Sequence, residues 1–252
     1  MRQWPKSLLN HIYAHRGYHD KPQIPENSLP AFRRAIERGW GAELDVHLLS
    51  DGTLAVFHDS DLQRCTGAKG NIEDLNVRSL KELRLEGTDN SIPLFDEVLE
   101  LFEESGCPLI IELKAANNNH KALAREVCLR LDSYRGDFCL ESFDFRVILE
   151  IRRFRPEFIR GQLAQNYFRS KENISGLLTL ALTGLWSNVL TRPDFIAYKF
   201  SDRNEKHVRK AVDKKGLKEV SWTIRTRKDF DRAIKWGCIP IFEKFDPEEN
   251  EI

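Results

Sequence analysis

The chain has no excess of charge of either sign: 39 lysines plus arginines stand against 39 aspartates plus glutamates in 252 residues. A protein that holds nucleic acid by neutralising phosphates carries a basic surplus. No nucleic-acid partner is therefore expected, and any phosphate chemistry must be local to a site. Cysteine is scarce and unpatterned. Cys65, Cys107, Cys128, Cys139 and Cys238 are odd in number and form no Cys-x-x-Cys pair, which argues against a disulfide framework or a zinc site. Scattered thiols in a reducing cytosol are the simplest reading, and with it a cytoplasmic location. Long hydrophobic runs are also missing. The most apolar stretch, Leu177 to Trp186, is too short for the roughly 20 residues that cross a bilayer. Met1 to Lys6 leads into no apolar run of the signal-peptide kind. Nothing in the sequence fixes an oligomeric state.

Strand-like and helix-like patterns alternate along the chain. Candidate strands are Ile12–His15, Ala42–Leu48, Leu109–Lys114, Phe138–Glu141, Ile159–Leu163, Phe195–Tyr198, Glu219–Thr223 and Ile239–Phe242. Several are continuous apolar runs, as strands buried on both faces require. Between them apolar residues recur at helical spacing, as in Leu29, Phe32, Ala35 and Ile36, with Ser28 placed as an N-cap. Eight such units predict an α/β fold with a parallel sheet closed into a (β/α)8 TIM barrel, for which about 250 residues is typical. No low-complexity linker divides the chain, so residues 1–252 read as a single barrel domain. Residues 59–91 form a polar segment longer than an ordinary connection, read as an insertion or small subdomain over one barrel end. One helix is expected between Gln165 and Pro193.

Ala42-Glu43-Leu44-Asp45-Val46 sets two carboxylates two residues apart on a candidate strand. Alternation makes Glu43 and Asp45 project together. Two acids on one inner face repel unless a cation, a proton or a basic partner stands between them. Glu112 and Lys114 share a face at the C-terminal end of another candidate strand. Three carboxylates from two strands make a hard-oxygen site suited to Mg²⁺ or Ca²⁺. Lys114 would supply positive charge for a bound anion. Ser50-Asp51-Gly52-Thr53 reads as a hairpin with a two-residue turn. Counting outward pairs Leu48 with Ala55 and Asp45 with His58, which puts His58 beside the acids. His15-Arg16-Gly17 ends the first candidate strand, where a histidine can carry a proton and an arginine can clamp a phosphate. All of these lie at C-terminal strand ends or on the adjoining hairpin, where barrel enzymes place their active sites.

With these residues in view the sequence resembles the glycerophosphodiester phosphodiesterase family. The matching stretches are Ala14-His15-Arg16-Gly17, Pro25-Glu26-Asn27-Ser28, Glu43-Leu44-Asp45-Val46, Ser50-Asp51-Gly52 and Val56-Phe57-His58-Asp59. Arg64-Cys65-Thr66-Gly67, Pro93 to Leu99, Ile111-Glu112-Leu113-Lys114, Ser142-Phe143-Asp144 and Ser221-Trp222-Thr223 follow in the family's order. The resemblance implies a (β/α)8 barrel with a short insertion after the His58 region. It implies Glu43, Asp45 and Glu112 as ligands of a divalent metal, Mg²⁺ or Ca²⁺. It implies His15 and His58 as general acid and base, and Arg16 and Lys114 as phosphate holders. Phe143 and Trp222 would line the alcohol side of a small glycerophosphodiester substrate, cleaved to glycerol 3-phosphate and an alcohol.

The chain departs from the family's pattern in two places. Arg225 stands where asparagine commonly follows the Trp-Thr-aliphatic run. The last strand, usually similar to Gly-Ile-Ile-Thr-Asp, here reads Pro240-Ile241-Phe242-Glu243-Lys244. Two rival readings are a phospholipase D-like lyase that stops at a cyclic phosphate and a barrel that binds a phosphoryl ligand without turnover. The former family's toxins are secreted and disulfide-bonded, traits this sequence does not show. Trp4, Trp40, Trp186 and Trp236 are expected to pack. His11, His19, His47, His120 and His207 are expected at the surface or behind the site, with His47, next to Val46, facing outward on its strand.

Overall fold

The computed structural model describes residues 2–169 and 183–249. Eight parallel strands close into a barrel. They are β1 (Tyr13–His15), β2 (Gly41–Leu48), β4 (Leu109–Leu113), β5 (Phe138–Ser142), β6 (Arg160–Ala164), β7 (Phe195–Lys199), β8 (Lys218–Ile224) and β9 (Ile239–Phe242). Closure is made by β1, which pairs with β2 on one side and β9 on the other. A ninth strand, β3 (Leu54–Val56), runs antiparallel to the outer end of β2. The expected TIM barrel and its eight strands are all present. Helices Leu29–Glu37, Phe95–Ser105, His120–Leu131, Phe145–Phe154 and Arg227–Lys235 lie between strands. Ser28 caps the first of them, accepting from the Ala31 amide at 3.3 Å.

Strand alternation explains how the barrel carries a polar end. Tyr13, Ile110, Cys139, Val220 and Ile241 join one buried apolar cluster. Their neighbours Ile111 and Leu140, with Leu44 and Val46, pack instead against helix residues such as Phe32, Phe95 and Val127. Two residues beyond the first group, hence on the same face, stand His15, Glu112, Glu141, Trp222 and Glu243. The barrel is thus plugged by an apolar layer and topped by a charged one at the C-terminal strand ends. Each large apolar side chain removed from water contributes roughly 1.5–3 kcal/mol. That plug offsets the cost of burying the acids above it.

The hairpin after β2 departs from the expected register. Val46 pairs with Val56, His47 with Ala55 and Leu48 with Leu54. The loop has three residues, Ser50 to Gly52, closed by Leu49 N–H donating to the Thr53 carbonyl at 2.9 Å. Gly52 takes a φ of +84°, the left-handed position that ends a three-residue hairpin loop. The expected Asp45–His58 pair is therefore replaced by Phe57, whose N–H donates to the Asp45 carbonyl at 3.0 Å. His58 follows just past the ladder and still reaches the site.

Residues 57–92 hold short helices, Gln63–Thr66 and Val77–Leu80, around a buried cluster that includes Phe57, Leu62, Ile72, Leu80 and Leu85. Of the stretch Gln165 to Pro193, where one helix is expected, the described residues hold the short helix Asn188–Thr191. Residues 170–182, including the start of the apolar stretch at Leu177, lie outside the described residues. Among the described residues no helix is long and apolar enough to cross a membrane. Trp4 and Trp40 pack as expected, but Trp186 and Trp236 are 56% and 41% exposed. Trp236 lies stacked beside Phe200 with Arg203 over its ring.

Candidate active site

The barrel's charged end opens into two adjoining cavities. The larger, about 500 Å³, is lined by His47, His58, Glu112, Lys114, Phe143 and Trp222 among others. The smaller is lined by His15, Arg16, Glu43, His58, Glu112, Glu141, Phe143 and Trp222 among others. Every residue expected at the site except Asp45 lines one of them, and Asp45 lies directly behind.

Glu43, Asp45 and Glu112 are all buried, and one carboxylate oxygen from each falls within 4.8 Å of the others. The register places Asp45 beside Glu112 across β2 and β4. Burial, with Asp45 and Glu112 close by, pushes the Glu43 carboxyl well above its ordinary range. Burial also raises Glu112, partly held back by Lys114 and helped by Asp45. Asp45 would be raised by burial too, but His58, Lys114, Arg16 and the Asn27 amide hold it well below the usual carboxylate range. Asp45 Oδ1 is buried and has no hydrogen bond among the described residues, with Lys114 Nζ 3.4 Å away. Three crowded acids and an oxygen left unsatisfied are what a hard divalent cation would relieve, so the donor set fits such an ion.

Two cations border the acids. Lys114 Nζ lies 2.9 Å from Glu112 Oε1 and 3.4 Å from Asp45 Oδ1. Arg16 Nη1 is 2.9 Å from Glu26 Oε1 and its Nε is 3.5 Å from Asp45 Oδ2. Arg16 sits at φ +56° in a sharp turn that Gly17 permits. Gly17 has φ +78°, and a Cβ there would stand 2.9 Å from the Ala31 backbone. Asn27, also left-handed, donates from Nδ2 to Asp45 Oδ2 at 2.9 Å.

Each expected catalytic histidine has a carboxylate at Nδ1. His15 Nδ1 is 2.6 Å from Glu243 Oε2, and its Nε2 is 4.0 Å from Glu43 Oε2. His58 Nδ1 is 2.5 Å from Asp59 Oδ1. Burial pushes the His15 ring down to about 4, against the hydrogen bond it donates to Glu243, which raises it. Phe143 and Trp222 meet edge to face with centroids 5.6 Å apart, and the buried Trp222 indole N–H has no hydrogen-bond partner among the described residues.

A sequence profile of the glycerophosphoryl diester phosphodiesterase family matches residues 15–245. The chain belongs to the glycerophosphoryl diester phosphodiesterase family. The expected membership thus holds, and with it the expectation of an enzyme of this class. Within this family, a glycerophosphodiester phosphodiesterase of Caldanaerobacter subterraneus is 27% identical over 246 residues, 94% of each chain. A phosphodiesterase of Oleispira antarctica, solved in complex with the product sn-glycerol-3-phosphate, superposes with a TM-score of 0.80 at 23% identity, over 96% of this chain and 95% of that one. A glycerophosphodiester phosphodiesterase of Thermotoga maritima superposes at 0.69 with 28% identity, over 93% and 94%.

Several residues reach the site that the sequence reading did not single out. His47 has the same strand parity as Glu43 and Asp45, so it faces inward rather than outward. It is fully buried, with Nδ1 2.6 Å from Glu73 Oε1 and Nε2 3.2 Å from the His58 carbonyl. Asp59 was visible as His58's immediate neighbour. Glu26 gathers Arg16, Lys21 and Arg64 around one buried carboxylate. Glu141 stands beside Glu112 in register, buried, with Oε2 unpartnered. Burial, with Glu112 and Asp45, raises its carboxyl well above the ordinary value. Glu243 was visible only as an oddity of the last strand.

Proposed function

We propose that the chain hydrolyses glycerophosphodiesters to glycerol 3-phosphate and an alcohol, with a divalent metal and two histidines. The observation that carries this is the triad Glu43, Asp45 and Glu112, set between two histidines that each have a carboxylate at Nδ1. A divalent cation, Mg²⁺ or Ca²⁺, would polarise the phosphoryl oxygens when held by these three acids. Lys114 and Arg16 balance the charge that builds on those oxygens during displacement. His15 accepts the proton of the attacking oxygen, and His58 protonates the leaving alkoxide. The attacking group is water or the substrate's own glycerol hydroxyl, the latter passing through a cyclic phosphate that water opens. Phe143 and Trp222 form the wall for the alcohol. Residues 59–91 serve as a small subdomain of the one barrel domain, reaching the site through Asp59 and Arg64. The five cysteines are all free and buried, which suits a reducing cytoplasm.

The test is incubation of pure protein with glycerophosphocholine, with Mg²⁺, Ca²⁺ or EDTA, and measurement of glycerol 3-phosphate. Metal-dependent release, lost in His15→Ala and His58→Ala, is expected. A cyclic phosphate as the final product would point to the lyase. Full activity in either histidine variant would sink the proposed roles.

A further inference from the structure

The last strand brings an acid to His15 that nothing in the mechanism yet uses. Register pairs Tyr13 with Ile241 and Ala14 with Phe242, so the next step along both strands sets His15 beside Glu243. The Glu243 side chain is 8% exposed and its two oxygens are divided. Oε2 takes His15 Nδ1 at 2.6 Å, and Oε1 takes Arg225 Nε at 2.6 Å. His19 Nε2 lies 3.7 Å from the same Oε2. Arg225 is one of the two places where the sequence departs from its family's pattern, and Glu243 lies within the other, the last strand Pro240 to Lys244. Here they are the two halves of one ion pair.

We propose that Glu243 is the positioning residue for His15, with Arg225 fixing the carboxylate that does the positioning. The proposal rests on the reading of His15 as a catalytic residue. A carboxylate only accepts hydrogen bonds, so the short contact makes Nδ1 a protonated nitrogen, and a ring that acts as a base carries no second proton. That leaves the lone pair on Nε2, the nitrogen directed toward Glu43 and the smaller cavity. Without Glu243 the ring is free to take the other tautomer or to turn, and Nε2 then presents no base. Arg225, its side chain 53% exposed, takes the second oxygen and so biases the carboxylate toward the ring. Neither residue needs to touch substrate for this to work.

The experiment compares kcat and KM for glycerophosphocholine at saturating metal in the parent, Glu243→Gln, Glu243→Asp, Arg225→Asn, His15→Ala and the double variant His15→Ala/Glu243→Gln. Glu243→Gln should lower kcat by about ten- to a hundredfold, part of what a general base supplies, while KM moves less than about twofold. Glu243→Asp, which keeps the charge, should recover part of the loss, and Arg225→Asn should lose less than Glu243→Gln. In the His15→Ala background Glu243→Gln should cost nothing further, since residues that act through one another are not additive. An unchanged kcat in Glu243→Gln, or an equal loss with and without His15, overturns the positioning role. Full activity in His15→Ala overturns the reading of the site itself, a distinguishable failure. Should Glu243→Gln fold poorly, Glu243→Asp and Arg225→Asn carry the same comparison, and parent-like kcat in both overturns the proposal.

Discussion

His58 Nδ1 lies 2.5 Å from Asp59 Oδ1, a hydrogen bond between adjacent residues at the point where the chain leaves the barrel. Asp59 is itself held from the other side, by Arg64 Nε at 2.5 Å. Adjacent side chains rarely meet so closely unless the backbone turns between them. Here the turn follows directly after the β3 ladder.

The first prediction concerns that pair. Burial would raise the Asp59 carboxyl, but His58 and Arg64 hold it well below the ordinary range, so it remains an acceptor for the ring across the working pH range. Asp59→Asn should lower kcat by about ten- to a hundredfold, a fraction of the 10²–10⁴ that acid–base catalysis supplies, and leave the fold intact. Steady-state kinetics with circular dichroism as a control decides it. Parent-like turnover in Asp59→Asn would show that His58 needs no such support.

The second concerns the acidic triad. Glu43 and Glu112 are both pushed up by burial and by neighbouring acids, so an ion that binds there relieves repulsion in the folded state alone. Mg²⁺ or Ca²⁺ at about a hundred times its Kd should stabilise the protein by about 2.7 kcal/mol, read as a rise in Tm. Asp45→Ala should abolish most of that rise. A Tm indifferent to both ions, with no heat of binding by calorimetry, would remove the cation site.

The barrel was legible in the sequence because its strands are buried on both faces. Runs such as Leu109–Leu113 carry enough apolar residues to mark themselves, and closure follows from eight repeats. The triad was legible for a related reason: alternation along a strand fixes which side chains share a face, whatever the neighbours do. The hairpin register was not. A Ser-Asp-Gly-Thr sequence suits a two-residue turn, but Gly52 closes a three-residue loop here, and the pairing shifts by one. The inward face of His47 was available from parity and was misread from its neighbour. Glu243 and Glu26 were not legible as site residues. Glu243's partner His15 is 228 residues away and only the closed barrel brings the two together, while Glu26 meets Arg16, 10 residues before it, and Arg64, 38 after it, across the turn that follows β1.

The third prediction concerns Glu26, whose buried carboxylate serves Arg16, Lys21 and Arg64. Burial would raise its carboxyl, yet Arg64, Arg16 and Lys21 hold it far below the ordinary value. A depressed folded-state value means the acid stabilises the fold above its unfolded value, about 4.3, and that this contribution is lost as pH falls further. Glu26→Gln should cost about 3 kcal/mol at neutral pH, the low end for removing one partner of a buried ion pair, because Lys21 and Arg64 reach solvent. The difference between variant and parent should shrink as pH falls below about 4. Urea unfolding at several pH values measures both. A pH-independent difference would mean that packing rather than charge is lost.

The Ser50–Gly52 loop touches no part of the chemistry and lies on the surface, yet it acts as a ruler. How many residues it contains decides how far the returning strand has travelled when it passes Asp45, and hence at what height His58 leaves the ladder. Its side chains fasten it in place, Ser50 donating to the Leu75 carbonyl at 2.7 Å and Asp51 accepting from the Thr53 and Val77 amides. Its length matters more, because one residue more or fewer would carry the histidine to the wrong storey of the barrel with no residue of the site itself replaced.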